Sequence, residues 1–314
     1  MDFRVNAQGK CGYGKAAVAL RGGQCDDRRF PDGAIVVRDY GDYLDAGRKA
    51  AEQAGRVILQ HYERAGPVDW KGDGSPVTPA DRGAHEAIMA VLGETTPEIP
   101  VASEEGGAIE GARYWSVDPL DGTKEYVART GAFAVNIALI DAGRAVVGIV
   151  HVPVAGETYC AIKGAGAWKS EAEGSSRPLA PPVYAGGRIR LVGSARHGLT
   201  ALTRVCKRLA CGEGDIERMA LGSAWKFGWL AEGRADLYPR FGPTHTWDTA
   251  AGQCLLEEVG GAVWVAGRKP LVYHHPRQRN PSFLAVADAR YPWPDLLEEG
   301  EEAAAAREPG EGSI

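Results

Sequence analysis

The sequence offers little that would mark a disulfide-stabilised or membrane-spanning protein. Its 314 residues include six cysteines and no Cys-x-x-Cys pair, a pattern that fits a reducing compartment. No apolar run approaches the roughly 18 residues that a membrane helix needs, and the N-terminus lacks the apolar core of a secretory signal peptide. These absences predict a cytoplasmic protein without an integral membrane segment.

An excess of positive charge is also missing. Lysine and arginine number 36 against 41 aspartates and glutamates, for a formal net charge of −5. No nucleic-acid polymer is therefore expected as a partner, because binding through the phosphate backbone needs a basic surface. The chain also lacks a GxxxxGK[ST] phosphate loop, which argues against an NTPase of that type. A small phosphorylated nucleotide stays compatible with this composition.

Four segments of the chain differ in their residue patterns. Residues 1–38 are rich in glycine, arginine and aspartate without a sustained period, and we predict a disordered extension. Periodic apolar patterns predict an α+β domain over 39–187, with two helices and an antiparallel sheet, and an α/β domain with a mixed sheet over 188–293. Residues 294–314 carry seven acidic residues and one arginine, and are predicted to be a disordered acidic tail.

The most informative stretch is 115–123, where an apolar strand leads to Asp118 and Asp121 at a turn that contains Pro119 and Gly122. Proline fixes φ, and glycine lets the backbone approach a ligand, so that the following N–H groups can point at an anion. Carboxylates beside such a turn suggest Mg²⁺ together with phosphate, because hard cations take oxygen ligands. For this motif alone, a tight turn without a ligand is the alternative.

Two further acidic residues lie at the ends of predicted elements. Glu104 follows a short apolar strand in Val-Ala-Ser-Glu-Glu-Gly, and Asp248 opens a helix of small residues in Trp-Asp-Thr-Ala-Ala-Gly. Shared use of these acids with Asp118 and Asp121 as metal ligands is compatible with the pattern. It does not follow from their spacing.

These motifs together resemble the lithium-sensitive, Mg²⁺-dependent phosphatases of the inositol monophosphatase superfamily. Asp-Pro-Leu-Asp-Gly-Thr at 118–123 and Trp-Asp-Thr-Ala-Ala-Gly at 247–252 match its hallmarks. Lys-Glu-Tyr at 124–126 and Tyr-Pro-Arg-Phe-Gly-Pro at 238–243 resemble the CysQ-type 3′(2′),5′-bisphosphate nucleotidases of bacteria. The resemblance covers roughly residues 40–293.

The resemblance implies an α/β (α+β) fold, a layered α/β/α/β/α sandwich, with most metal ligands in the first domain. It implies hydrolysis of the 3′-phosphate of adenosine 3′,5′-bisphosphate (PAP) to AMP and phosphate by metal-assisted in-line attack of water. Conversion of PAPS to APS is a related reaction, and both belong to sulfur metabolism. The alternatives are a phosphatase for inositol 1-phosphate or histidinol phosphate and, from another class, a non-catalytic metal or nucleotide sensor.

The resemblance also assigns roles to individual residues. The ligands of two or three Mg²⁺ ions would be Glu104, Asp118, the carbonyl of Leu120, Asp121 and Asp248. The catalytic residues would be Asp81, Thr123 and Glu104, with Thr123 orienting the attacking water and Asp81 accepting from the threonine hydroxyl. A helix cap is a second role for Asp81 that is compatible with the first.

Substrate contacts are implied for a wider set of residues: Asp121, Gly122, Thr123, Ser194, His197, Lys226, Arg240 and Asp248. Lys226 and Arg240 would bind the phosphate that does not react, with a solvated helix face as the alternative for Lys226. The stretch Ser-Ala-Arg-His at 194–197 departs from the Ser-Arg-Ser-His of related nucleotidases. The partner would be a small nucleotide substrate and the protein a monomer or homodimer, in the cytoplasm or peripherally at the inner membrane face.

Overall fold

A computed structural model describes residues 40–297 with the exception of 65, 73, 108, 173, 195–198 and 211–214. The predicted extension, nearly all of the acidic tail and His197 lie outside the described residues. Within the part that is described, no helix combines the length and the apolar character needed to cross a membrane.

Two long helices cover one face of the first sheet. They are α1 (Tyr40–Tyr62) and α2 (Pro79–Thr95), joined through a hairpin of β1 (Asp69–Trp70) and β2 (Pro76–Val77). Small residues let α1 approach the sheet closely, because a Cβ at Gly47 would lie 2.7 Å from Ile149 Cδ1.

The first sheet has seven strands in sequence order. They are β3 (Val101–Ser103), β4 (Arg113–Asp121), β5 (Ala134–Asp141), β6 (Arg144–Val152), β7 (Glu157–Ile162), β8 (Gly166–Ser170) and β9 (Ser176–Pro178). All neighbours pair antiparallel except β3, which runs parallel to β4. The predicted antiparallel pairing is confirmed for β4 to β7, and the edge strand β3 is an exception to it. A tight turn after β5 reverses the direction of the chain, so that β6 runs antiparallel to β5. The longer connection after β3 instead brings the chain back to the end of the sheet where β3 began, so that β4 runs parallel to β3.

The second sheet has six strands in the order β11-β10-β12-β15-β13-β14. They are β10 (Ile189–Gly193), β11 (Ile216–Ala220), β12 (Leu237–Arg240), β13 (Ala262–Val265), β14 (Lys269–Pro270) and β15 (Phe283–Val286). Strand β10 is parallel to β11 and β12, and the other pairs are antiparallel. The prediction of a mixed sheet is confirmed. The predicted boundary at 187/188 falls between β9 and β10, and a division into two domains stays a prediction.

The remaining helices complete the layers. A short helix, α3 (Thr123–Val127), follows β4, and α4 (Leu199–Ala210) packs with one face of the second sheet. Helices α5 (Trp225–Ala231) and α6 (Thr246–Glu258) lie between the two sheets, in the core shared by both. The α/β/α/β/α sandwich is therefore confirmed, and its central layer brings α6 to the end of β4.

Candidate active site

A cavity lies at the point where the end of β4 meets the starts of α5 and α6. The structure brings most of the predicted site residues to its wall: Glu104, Asp118, Leu120, Asp121, Gly122, Thr123, Ser194, Lys226, Arg240 and Asp248. Asp81 reaches this group through a hydrogen bond from Thr123. The predicted substrate contact His197 lies outside the described residues.

The central carboxylates lie on an irregular part of β4. The strand continues to Asp121 instead of ending before Asp118, and its register against β5 shifts between these two residues. Pro119 lies within this irregular segment. Because the residues there are not paired with β5, the missing backbone N–H of proline removes no hydrogen bond of the sheet. The Leu120 N–H donates to Asp118 Oδ1 at 3.0 Å, and Asp118 is 2% exposed.

Three carboxylates converge although they are far apart in the sequence. One oxygen each from Asp118, Asp121 and Asp248 lies within 4.8 Å of the others. Burial, followed by the charges of neighbouring carboxylates, raises the pKa of Asp118 well above its ordinary range. Burial and the charge of Asp121 raise the pKa of Asp248 to about 8.

This donor set fits a hard divalent cation. All three groups offer oxygen, the ligand atom that Mg²⁺ prefers. A cation between them would relieve the repulsion that, after burial, contributes to the raised pKa values of Asp118 and Asp248. The Leu120 carbonyl lies in the same wall, with its oxygen 3.2 Å from the Thr123 hydroxyl oxygen. Because the single hydrogen of that hydroxyl is directed to Asp81, the lone pairs of the carbonyl stay available to a cation.

Glu104 stands apart from this triplet. It follows β3, and its Oε1 accepts from Lys71 Nζ at 2.7 Å, while the same ammonium binds Glu105 at 2.5 Å. Burial raises the pKa of the Glu104 carboxyl, and the Lys71 charge acts against that rise. The structure thus places Glu104 on the cavity wall as one partner of an ion pair.

Asp81 uses its two oxygens for different neighbours. It occupies the third position of α2, and its Oδ2 accepts from the backbone N–H and the hydroxyl of Thr78, both at 2.7 Å. Its Oδ1 accepts from the Thr123 hydroxyl at 3.0 Å. The helix start and the cavity wall are therefore joined through one buried carboxylate.

Gly122 connects β4 to α3 in a conformation that needs glycine. Its φ of 93° lies in the left-handed region, and a Cβ there would lie 3.3 Å from the Ala132 carbonyl oxygen and 3.4 Å from Phe133 Cα. A side chain at this position would be strained and would crowd the adjoining backbone. The turn leaves the Gly122 and Thr123 backbone at the cavity wall.

Lys226 is buried, so its interpretation as a residue on a solvated helix face is wrong. It is 4% exposed because α5 lies between the sheets, and its Nζ donates to the Ser223 carbonyl at 2.6 Å and the Leu221 carbonyl at 3.2 Å. Burial lowers its pKa to about 8. Nearby on β12, Arg240 donates to the Pro243 carbonyl at 3.2 Å.

Two residues of this region were missed by the sequence reasoning. Lys71 binds Glu104 and Glu105, and Asn136 donates from Nδ2 to Asp121 Oδ2 at 3.0 Å. Asn136 carried a signal, because it is a polar residue inside an otherwise apolar run. Lys71 carried no signal of its own.

Comparisons with known proteins identify the family of the chain. The inositol monophosphatase family matches residues 39–292. The 3′(2′),5′-bisphosphate nucleotidase CysQ of Escherichia coli O157:H7 is 43% identical over 253 residues, which cover 76% of this chain and 98% of that protein.

Solved structures show the same relationship. The crystal structure of CysQ from Bacteroides thetaiotaomicron, a bacterial member of the inositol monophosphatase family, has a TM-score of 0.68 and 38% identity, with 78% of this chain and 96% of that one covered. The inositol monophosphatase from Anabaena shares the fold, with a TM-score of 0.63 at 24% identity over 86% of this chain and 96% of that one. The chain belongs to the inositol monophosphatase family.

Proposed function

We propose that the protein is a Mg²⁺-dependent 3′(2′),5′-bisphosphate nucleotidase that hydrolyses the 3′-phosphate of PAP to AMP and phosphate, and that also converts PAPS to APS. The convergence of Asp118, Asp121 and Asp248 beside the Thr123–Asp81 pair is the observation that carries this proposal. The similarity to CysQ nucleotidases supports the choice of substrate.

The metal ligands in this proposal are those that the resemblance implied. Asp118, Asp121 and Asp248, with the Leu120 carbonyl and Glu104 from the same cavity wall, would hold two or three Mg²⁺ ions. When bound, Mg²⁺ polarises the phosphoryl oxygens and stabilises the charge on the attacking and leaving oxygens of an in-line displacement. Lys71 occupies Oε1 of Glu104, so the other carboxylate oxygen, Oε2, would serve as the ligand atom.

Thr123 and Asp81 would orient the attacking water and take its proton. Because the Thr123 hydroxyl donates to Asp81, its lone pairs face away from that carboxylate and can accept a hydrogen bond from water. The water oxygen then points its own lone pair toward the phosphorus. Asp81 would receive the proton through the threonine hydroxyl as the new P–O bond forms. The P–O bond to the 3′ oxygen breaks in the same displacement, and that oxygen takes a proton from solvent to become the hydroxyl of AMP.

The two phosphates of the substrate would meet different parts of the wall. The backbone N–H groups of Gly122 and Thr123 would donate to the reacting phosphate. Lys226 and Arg240 would bind the phosphate that does not react. Ser194 and His197 would contact the nucleotide, as the resemblance implies. Two separate anion contacts suit a bisphosphate better than a monoester.

Phosphate release tests the proposal directly. PAP, PAPS, inositol 1-phosphate and histidinol phosphate are compared at equal concentration with Mg²⁺, with EDTA, and with Mg²⁺ plus Li⁺. Preferred hydrolysis of PAP that EDTA abolishes and Li⁺ reduces is the expected result. Preference for a monoester would overturn the substrate assignment, and no phosphate release from any substrate would favour a metal or nucleotide sensor.

We further propose that the protein acts in the cytoplasm as a monomer or homodimer. The size of the particle in solution is measured by light scattering coupled to gel filtration. Fractionation of cells that express the full chain locates the protein. A larger assembly, or recovery with the membrane fraction, would contradict this part of the proposal.

A further inference from the structure

We infer that Asn136 is a positioning residue that fixes the Asp121 carboxylate for metal binding and ties it to the segment that carries Asp248. The inference rests on the metal site of the proposed function, and it concerns a residue that neither catalyses nor ligates. Its evidence is a set of hydrogen bonds made by one buried amide.

Asn136 lies at the centre of the first sheet. It is 1% exposed on β5 and stands directly opposite Asp118 on β4. Its neighbours along the strand, Val135 and Ile137, are fully buried apolar residues. An amide in such a place costs free energy unless its polar atoms have partners.

The amide nitrogen holds two parts of the site. Asn136 Nδ2 donates to Asp121 Oδ2 at 3.0 Å and lies 3.4 Å from the carbonyl oxygen of Trp247, the residue before Asp248. One donor group thus contacts a carboxylate at the end of β4 and the first turn of α6. Strand β4 carries Asp118 and Asp121 and helix α6 carries Asp248, so these two segments provide all three converging carboxylates.

The same carboxylate oxygen also receives a second donor. The backbone N–H of Ala224, just before α5, donates to Asp121 Oδ2 at 2.5 Å. Two N–H groups on Oδ2 select one rotamer of Asp121 and leave Oδ1 to face a cation. Hydrogen bonds of this kind to a metal ligand commonly change metal affinity 10- to 100-fold.

Folding alone does not account for an amide at this position. Asn136 Oδ1 is buried and has no hydrogen-bond partner among the described residues. A leucine would fill a similar volume without an unpaired oxygen, and Asp121 Oδ2 would keep the Ala224 N–H as a donor, so the cost to stability is small. The useful part of the side chain is therefore its N–H group, which acts on Asp121.

The test measures metal binding to the full chain without substrate. Mn²⁺ and Mg²⁺ are titrated calorimetrically into the wild type, Asn136→Leu and Asn136→Ser. Ser116→Ala is the matched control, since Ser116 is 1% exposed on β4, two residues from Asp118, and its hydroxyl has no partner among the described residues. Thermal unfolding without metal reports on the fold of each variant.

We expect both Asn136 variants to bind Mn²⁺ about 10- to 100-fold more weakly, while Ser116→Ala binds like the wild type. The Tm of Asn136→Leu without metal should stay within a few degrees of the wild-type value. If the leucine variant does not fold, metal binding is measured on Asn136→Ser instead. Unchanged affinity in the folded Asn136 variants, an equal loss in Ser116→Ala, or a wild type that binds neither metal would overturn the inference. A wild type that binds Mn²⁺ but hydrolyses no phosphate ester would refute the proposed function alone.

Discussion

Thr123 donates its hydroxyl hydrogen to one oxygen of Asp81, while the other oxygen of Asp81 caps helix α2. The buried carboxylate is therefore held in one orientation by its own helix before it meets the cavity. Because the helix cap occupies Oδ2, only Oδ1 is directed to Thr123, and the direction of the threonine hydroxyl is set in turn.

Two substitutions of Thr123 distinguish the role of its hydroxyl group from the role of its side-chain volume. We expect Thr123→Val to lower kcat by about 100-fold or more, because valine keeps the volume and removes the group that orients water. Thr123→Ser keeps the hydroxyl and should retain most of the activity. Phosphate release from PAP measures the effect, and equal activity of the valine and serine variants would refute the role of the hydroxyl.

Asp118→Asn should abolish turnover without unfolding the protein. The substitution removes one charge from three carboxylates whose oxygens lie within 4.8 Å of one another, so the Tm without metal should be equal to or above the wild-type value. Mg²⁺ should raise the Tm of the wild type, since it binds only the folded state, and should leave the variant unchanged. A similar Mg²⁺-induced rise in the variant would argue against Asp118 as a ligand.

Lys226→Met should act on substrate binding more than on chemistry. Loss of a charge-assisted contact to the non-reacting phosphate predicts a KM for PAP about 10- to 100-fold higher, with a much smaller change in kcat. Lys163→Met, at an exposed lysine in the turn after β7, is the control and should behave as the wild type. An equal rise in KM for PAP and for a simple monoester would show that Lys226 does not contact the second phosphate.

His151 makes the stability of the fold depend on pH. It lies on β6, its ring packs against Gly55 of α1, and burial lowers its pKa from 6.5 to about 4. The unfolded chain thus binds a proton that the folded chain excludes, so stability is lost as the pH falls from 6.5 toward 4, by about 3 kcal/mol.

Urea denaturation at pH 7 and pH 4.5 measures that contribution. The wild type should lose more stability between these values than His151→Gln, which has no group to protonate at this site. His61→Gln, at an exposed position of α1, should keep the wild-type difference. If His151→Gln shows the same difference as the wild type, another group is responsible.

Two helical glycines should respond in opposite ways to a methyl group. A Cβ at Gly228 of α5 would lie 2.8 Å from the ring of Tyr159, whereas a Cβ at Gly93 of α2 would meet no atom within 4 Å. Gly228→Ala should therefore destabilise the protein by about 1 to 3 kcal/mol, and Gly93→Ala should stabilise it by about 0.5 to 1 kcal/mol. Chemical denaturation of both variants checks the pair, and stabilisation by Gly228→Ala would contradict the close packing of α5 on β7.

Much of the architecture was accessible from local patterns. Apolar repeats identified α1 and α2, alternation and turn residues identified the strands from β4 to β7, and the resemblance supplied the layered fold and the family. The parallel pairing of β3 could not be predicted, because the sequence of residues 104–112 does not indicate at which end of the sheet the chain enters β4. The burial of Lys226 was likewise hidden, since it depends on α5 lying between two sheets.

The sequence by itself determined which residue types occur in which motif, and through them the family and the candidate ligands. Only the tertiary structure decided that Asp118, Asp121 and Asp248 converge, that Lys71 pairs with Glu104, and that Asn136 holds Asp121. The physical reason is that periodicity and turn chemistry act over a few residues, whereas these distances are set by the packing of α6 and α5 against the end of β4.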